Sequence, residues 1–226
     1  MSRIQLLVPN GSLKTEAVVE RITALGDRIM LRVVDFILGT LEERLSREEM
    51  AKVTYLEWHL SIAASGVQVA VQDGVHRLKR RLPEGVEEAT QLSVDAANAV
   101  AGTHMAKALR EVQSLEPDAS MVMTEAIRAV EAAAGAVVTP KDMKPSMGKI
   151  VGRMRDKRDW SLTLKRRDDE HPDHHAVVLG MLETLTFAEQ HRHSGPSPSL
   201  REAQTHALLA STVVGWFATG AIVVDV

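Results

Sequence analysis

Hydrophobic residues recur every three to four positions along most of the chain, which is the spacing of amphipathic helices. Three such segments come first, at residues 13–25, 27–45 and 46–66. The second carries one wide apolar stripe, and the third opens on Ser46-Arg-Glu-Glu49, a capping-box sequence. The chain is therefore predicted to begin with three helices.

A different pattern follows these helices. Residues Val67–Gln72 alternate between apolar and polar side chains, Asp73-Gly74 is a preferred two-residue hairpin turn, and Val75–Leu82 can return as the partner strand. Because a two-stranded hairpin is marginal alone, we expect it to lie against helices.

Helical spacing resumes at Val86 and continues to about Ser114. Pro117-Asp118 opens a further helix, which Pro140 must end. Ser146 starts a helix inside a basic segment, and another helix is predicted from about residue 172 to 191. A second capping box, Ser199-Leu-Arg-Glu202, opens the last helix.

The predicted fold class is all-α, a helical bundle of about eight helices with one small β-hairpin near residues 67–82. The pattern divides the chain into two parts. Residues 1–95 form an N-terminal helical region that carries the hairpin and packs on the rest, and residues 96–226 form the bundle.

Composition narrows the chemistry. Hydrophobic residues make up 45% and aromatic residues 3% of the chain, so the core must be built from aliphatic side chains and Met. There is no cysteine, which excludes disulfides, thiol catalysis and thiolate metal sites and fits a cytoplasmic location. The formal charge of -3 gives no overall attraction to nucleic acid. Ser146-Met-Gly148 matches neither a Walker loop nor a dinucleotide fingerprint, so no cofactor is predicted.

The uncharged run Ala207–Val224 raises the question of a membrane segment. It contains Ser, Thr and Gly, and no basic anchor follows it. We expect a buried terminal helix of the bundle and no membrane partner.

Residues 141–167 are the compositional outlier, with ten Lys and Arg against three Asp. Such a run is typical of a solvated face, but it can also form a local contact surface for phosphates through Lys149, Arg153 and Arg155. Trp160 lies inside this run and is the tryptophan to test for base stacking.

Glu125, Arg128 and Glu131 share one face of a predicted helix, so Arg128 can pair with either carboxylate. An ion pair that fixes the helix register is one interpretation, and a contact to RNA through Arg128 is the other. His59 and His104 lie on apolar faces and are expected in the core.

Trp58, Trp160 and Trp216 are expected as packing anchors. Histidines stand at both ends of the helix near residues 172–191: His171, His174, His175, His191 and His193. A helix of this size is about 27 Å long, so one metal ion cannot use both groups. They are interpreted as solvated histidines near the helix ends, and no metal site is predicted.

Several segments occur in an order that resembles a known family. They are His104–Leu109, Glu125–Ala134, Pro140 with Ser146–Val151, Arg192–Gly195, Glu202-Ala203 and Val214–Phe217. Over roughly residues 100–220 the series resembles HEPN-like helical proteins related to abortive-infection C-terminal domains, of actinobacterial or phage type. The resemblance implies a bundle of four or five helices, often a homodimer. It also implies that active members are metal-independent ribonucleases of defence or toxin–antitoxin systems.

The motif of that family is Arg, a polar residue, three to five further residues and then His. Arg192-His193 fits its opening, but Ser197, Pro198 and Ser199 stand where the final histidine should fall.

Arg201 and His206 have the correct spacing, although Glu202 replaces the Asn, Asp or His that the family prefers. Residues five apart on an ideal helix are separated by about 140°, so this pair converges only if Arg201 lies in the first turn.

Two functions follow as expectations. The first is RNA binding and cleavage, in which an imidazole serves as acid or base and a guanidinium stabilises the phosphorane. Its catalytic candidates are Arg192, His193, Arg201 and His206, and its RNA-binding candidates are Lys149, Arg153, Arg155 and Arg128. The second is a non-catalytic helical protein that acts by dimerisation or by binding a protein partner.

Overall fold

A computed structural model describes residues 15–41, 44–164, 173–194 and 197–224. The side chains of residues 15 and 189–194 lie outside this description, as does His171.

The described residues contain nine helices and two small antiparallel sheets, which confirms the all-α class with one small hairpin. They divide into two compact units, one ending at Arg81 and one beginning at Leu82. The first unit comprises α1 (Thr15–Ala24), α2 (Asp27–Leu38), α3 (Arg47–Ile62), β1 (Val67–Gln72) and β2 (Val75–Arg80). The second comprises α4 (Glu84–Ala96), α5 (Ala99–Gln113), α6 (Ala119–Val138), α7 (Met147–Lys157), β3 (Trp160–Leu162), α8 (His174–Ser194), α9 (Leu200–Ala218) and β4 (Ile222–Val224).

The hairpin forms where the sequence predicted it. β1 and β2 pair antiparallel, and the turn residues Asp73 and Gly74 have φ angles of 51° and 77°, the positive values that this turn requires. The strands are held to helices of the same unit. The amide of Leu78 donates to Asp35 Oδ1 on α2 over 2.8 Å, and the amide of Val69 donates to Glu57 Oε2 on α3 over 2.7 Å.

The second helix is shorter than the predicted segment 27–45, because α2 ends at Leu38. Gly39 follows, and a Cβ at Gly39 would lie 2.9 Å from the guanidinium of Arg77. Arg77 pairs with Asp35, so this side chain of the hairpin lies against the end of α2 at Gly39.

In the second unit α6 is the central helix and packs against α5, α7, α8 and α9. Its buried face is rich in alanine, including Ala126, Ala129 and Ala133, which lets neighbouring helices approach closely. The continuous helical pattern at 86–114 proves to be two helices, because the side chain of Asn98 caps α5 by accepting from the amide of Ala101 over 2.9 Å. The first of them, α4, packs against α5 and α9 and belongs to this unit.

The terminal helix α9 buries its apolar face in this core, as predicted. It ends at Ala218, Gly220 turns the chain with a φ of 71°, and β4 pairs with β3. That second sheet was not predicted. None of the helices in the described ranges is both long and apolar enough to cross a membrane.

Candidate functional site

Two of the four predicted catalytic residues lie at one recess. Arg201 and His206 both line a cavity of about 660 Å³ between α8 and α9, together with Leu185, Phe187 and Leu209. Because α9 begins at Leu200, Arg201 falls in its first turn, the position that convergence with His206 requires.

The two residues differ in their surroundings. His206 is only 5% exposed, and its Nε2 lies 3.3 Å from the carbonyl oxygen of Leu185, to which it donates. Arg201 is exposed, and no carboxylate among the described side chains lies within ion-pair distance of its guanidinium. The recess thus has a buried imidazole in its wall and an accessible guanidinium at its edge.

Arg192 and His193 fall in the last turn of α8, just before the segment that connects α8 to α9 in the sequence. Their side chains lie outside the described residues, so their part in the site stays a prediction.

The cations predicted to contact phosphates on α7 are bound to carboxylates of the chain itself. Lys149 donates to Asp142 Oδ2 over 2.7 Å, and Arg153 forms two bonds to Asp159, of 2.7 and 2.6 Å. The hydrogen bond from Lys149 holds the pKa of Asp142 below its ordinary value, and the hydrogen bonds from Arg153 do the same for the pKa of Asp159.

Arg155 on α7 likewise donates to Glu183 on α8. An RNA phosphate would have to compete with these internal anions. Lys149, Arg153 and Arg155 are therefore members of internal ion pairs, although about half of the Lys149 and Arg155 side-chain surface remains exposed.

Arg128 takes part in a different arrangement, which joins α5 to α6. One carboxylate oxygen of Glu125 lies 2.7 Å from Nδ1 of His104, and the other accepts from Arg128 over 3.0 Å. We call His104, Glu125 and Arg128 the α5–α6 triad. The Glu125 side chain is 12% exposed, whereas the side chains of His104 and Arg128 are 24% and 54% exposed. The imidazole and the guanidinium are therefore accessible to solvent, and the carboxylate that joins them is nearly buried.

The charges around Glu125 keep it ionised. Burial acts to raise its pKa, but the hydrogen bond from His104 and the positive charges of His104, Arg128 and Lys107 outweigh burial and leave that pKa below its ordinary value. Because an ionised carboxylate only accepts hydrogen bonds, Nδ1 of His104 must carry a proton. When the ring gives up its other proton, Nε2 of His104 presents a lone pair.

Glu131, the other predicted partner of Arg128, has a structural role. Its Oε1 accepts from the amide of Met147 over 2.9 Å and so caps α7. Ser146 precedes that helix but makes no side-chain cap bond of its own.

Trp160 is a packing anchor, as predicted, and its burial excludes the alternative of stacking on a base. Its side chain is 2% exposed, its Nε1 donates to the carbonyl of Met154 over 2.9 Å, and His175 packs edge-on against the ring. Nε2 of His175 also donates to the carbonyl of Trp160 over 2.8 Å.

Within the described ranges, no three or more His, Asp or Glu side chains are grouped so as to hold a metal ion.

In the first unit, Trp58 is expected as a packing anchor and His59 in the core, and both predictions are wrong because both side chains are exposed. Trp58 is 55% exposed, and its neighbours Tyr55 and Ile62 are 64% and 62% exposed. His59 is exposed as well and packs edge-on against the rings of Tyr55 and Trp58. No residue of α3 is buried.

Comparison of the chain with protein-family models, with curated proteins and with solved structures found no match.

Proposed function

We propose that this chain binds RNA and cleaves it without a metal ion, with the α5–α6 triad as the reacting centre. The observation that carries the proposal is that one carboxylate, Glu125, is hydrogen-bonded to an imidazole through one oxygen and to a guanidinium through the other. The resemblance of residues 100–220 to HEPN-like ribonucleases supports RNA as the substrate and defence or toxin–antitoxin activity as the setting.

His104 is the base in this proposal. Its Nδ1–H is fixed by Glu125, so Nε2 is free to take the proton of a ribose 2'-hydroxyl. The carboxylate also stabilises the imidazolium that forms, as the acidic member of a catalytic triad does.

Arg128 stabilises the charged phosphorane. The bond between the 2'-oxygen and phosphorus forms, the bond between phosphorus and the 5'-oxygen breaks, and water protonates the leaving oxygen. The products are a 2',3'-cyclic phosphate and a 5'-hydroxyl. Lys107 is exposed one turn after His104 on α5 and adds positive charge next to the site.

The test is a single-turnover assay on end-labelled single-stranded RNA in the presence of a chelator. General acid–base catalysis contributes about 10²–10⁴-fold, so His104→Asn should reduce the rate by that order while RNA binding is retained. Arg128→Gln should reduce both the rate and the affinity. Lys141→Gln is the matched control, because Lys141 is an exposed cation outside the triad.

Equal cleavage by wild type, His104→Asn and Arg128→Gln would exclude the triad as the reacting centre. Absence of RNA binding by the wild-type chain would exclude the function itself.

A second candidate function, protein association, is favoured by α3. Ala51, Tyr55, Trp58 and Ile62 are all exposed and follow the 4-3-4 spacing of a coiled-coil seam. In an antiparallel pair of α3 helices about a two-fold axis, Ala51 would face Ile62 and Tyr55 would face Trp58, so the aromatic residues would pair at the centre of the seam. We propose a second copy of this chain as the partner.

Light scattering on wild type and Trp58→Glu tests this candidate. The wild type should be a dimer and the variant a monomer, with unchanged helicity. Identical masses for the two proteins would exclude α3 as the interface.

A further inference from the structure

We propose that the recess between α8 and α9 binds a small organic anion with an apolar body. This site is separate from the α5–α6 triad and does not depend on the RNA proposal. Glu125 follows Met123 by two residues on α6, which is about 200° around the helix, so the triad and the recess lie on different sides of α6.

The apolar body of the ligand is specified by the wall. Met123, Leu185 and Leu209 line the interior, and Phe187, Ala188 and Pro198 complete an apolar surface. The volume of about 660 Å³ lies within the range of sites that hold drug-sized ligands. A lone phosphate would leave most of this apolar surface facing water, so a compact inorganic ion does not match the recess.

The negative charge of the ligand is specified by Arg201. Its guanidinium is exposed at the recess and has no carboxylate partner among the described side chains. This contrasts with Lys149, Arg153 and Arg155, each of which is paired with an acidic residue. A guanidinium without an internal partner binds a carboxylate or phosphate through two parallel hydrogen bonds.

Glu202 also lines the recess, but its carboxylate is hydrogen-bonded in the cap at the start of α9. Its Oε2 accepts from the backbone amide of Ser199 over 2.7 Å, and its pKa lies below the ordinary value because of this bond and the bond with the Ser199 hydroxyl. The hydroxyls of Thr184 and Thr205 donate to backbone carbonyls of their own helices, so the charged contact for an anionic ligand is Arg201.

The experiment measures binding of decanoate and of decanol to the full chain by titration calorimetry, below the micellar concentration. We expect saturable decanoate binding, with decanol at least tenfold weaker because it lacks the anionic group. Arg201→Gln should remove this preference for the anion. His104→Asn should bind decanoate as the wild type does, so failure of the RNA proposal and failure of this one are distinguishable.

Amide chemical shifts locate the ligand. Decanoate should move the signals of Leu185, Phe187 and Thr205. Equal affinity for decanoate and decanol, or an unchanged preference in Arg201→Gln, would overturn the proposal. A change in the amide signals of α8 and α9 on protein dilution, and not on ligand addition, would show that a second copy of the chain fills the recess. That result would also overturn the proposal.

Discussion

Nδ1 of His104 on α5 lies 2.7 Å from Oε2 of Glu125 on α6, so two helices are joined by a hydrogen bond between an imidazole and an ionised carboxylate. Glu125→Gln keeps the shape of the side chain and removes its charge. We expect the cleavage rate constant to fall while RNA affinity stays near that of the wild type, because Glu125 orients the base and does not itself contact RNA.

Glu125→Asp is the control for that variant, since it retains the charge and should restore part of the rate. Rates are measured at saturating and at limiting RNA. A loss confined to affinity, with an unchanged rate at saturation, would contradict the orienting role.

The fold should lose stability on acidification. Glu125, Asp142, Asp159 and Glu202 all have pKa values below the ordinary range. A carboxyl whose pKa is lower in the folded state stabilises the fold above its unfolded pKa, near about 4, and that contribution is lost as the pH falls through the folded value.

Urea unfolding at about pH 7 and about pH 3 measures this dependence. We expect a smaller free energy of unfolding at the lower pH, and a smaller difference in Asp159→Asn. An equal or larger free energy at low pH would contradict the assignment of these carboxylates as paired.

Replacement by alanine should have opposite effects on stability at two helical glycines. A Cβ at Gly135 on α6 would lie 2.6 Å from the ring of Pro145, whereas a Cβ at Gly152 on α7 would meet nothing within 4 Å. Gly135→Ala should destabilise by about 1–3 kcal/mol through overpacking. Gly152→Ala should stabilise by up to about 1 kcal/mol through helix propensity. Thermal and urea unfolding give both signs, and stabilisation by Gly135→Ala would refute the close packing against Pro145.

Trp160 should matter for stability and not for RNA. Trp160→Phe removes the shorter of two hydrogen bonds to the carbonyl of Met154 and leaves the 3.3 Å bond from the amide of Arg158. The loss of one such bond should cost about 0.5–1.5 kcal/mol. RNA retention by the folded variant should equal that of the wild type in a gel-shift titration. A selective loss of RNA binding at unchanged stability would restore Trp160 as a base-stacking residue.

Local signals in the sequence predicted much of the fold. The capping boxes at Ser46 and Ser199 are present, and Asp73-Gly74 makes the predicted turn. Each of these signals depends on residues within a few positions of one another. The small sheet of β3 and β4 was not predicted, because three-residue strands carry almost no periodicity and pair across the whole of α8 and α9.

The same limit applies to the site. Arg128 was singled out and its pairing with Glu125 is local, but His104 lies 21 residues from Glu125 and their contact depends on how α5 packs on α6. The charge of residues 141–167 predicted phosphate contacts. A charge run does not reveal that Asp142, Asp159 and the distant Glu183 already bind three of its cations.

Identification of the RNA ends tests the central claim most directly. Wild-type protein is incubated with a defined single-stranded RNA and a chelator, and the products are weighed by mass spectrometry. A 2',3'-cyclic phosphate and a 5'-hydroxyl that disappear in His104→Asn are the result that the account predicts. Intact RNA, or products with 3'-hydroxyl and 5'-phosphate ends, would contradict it.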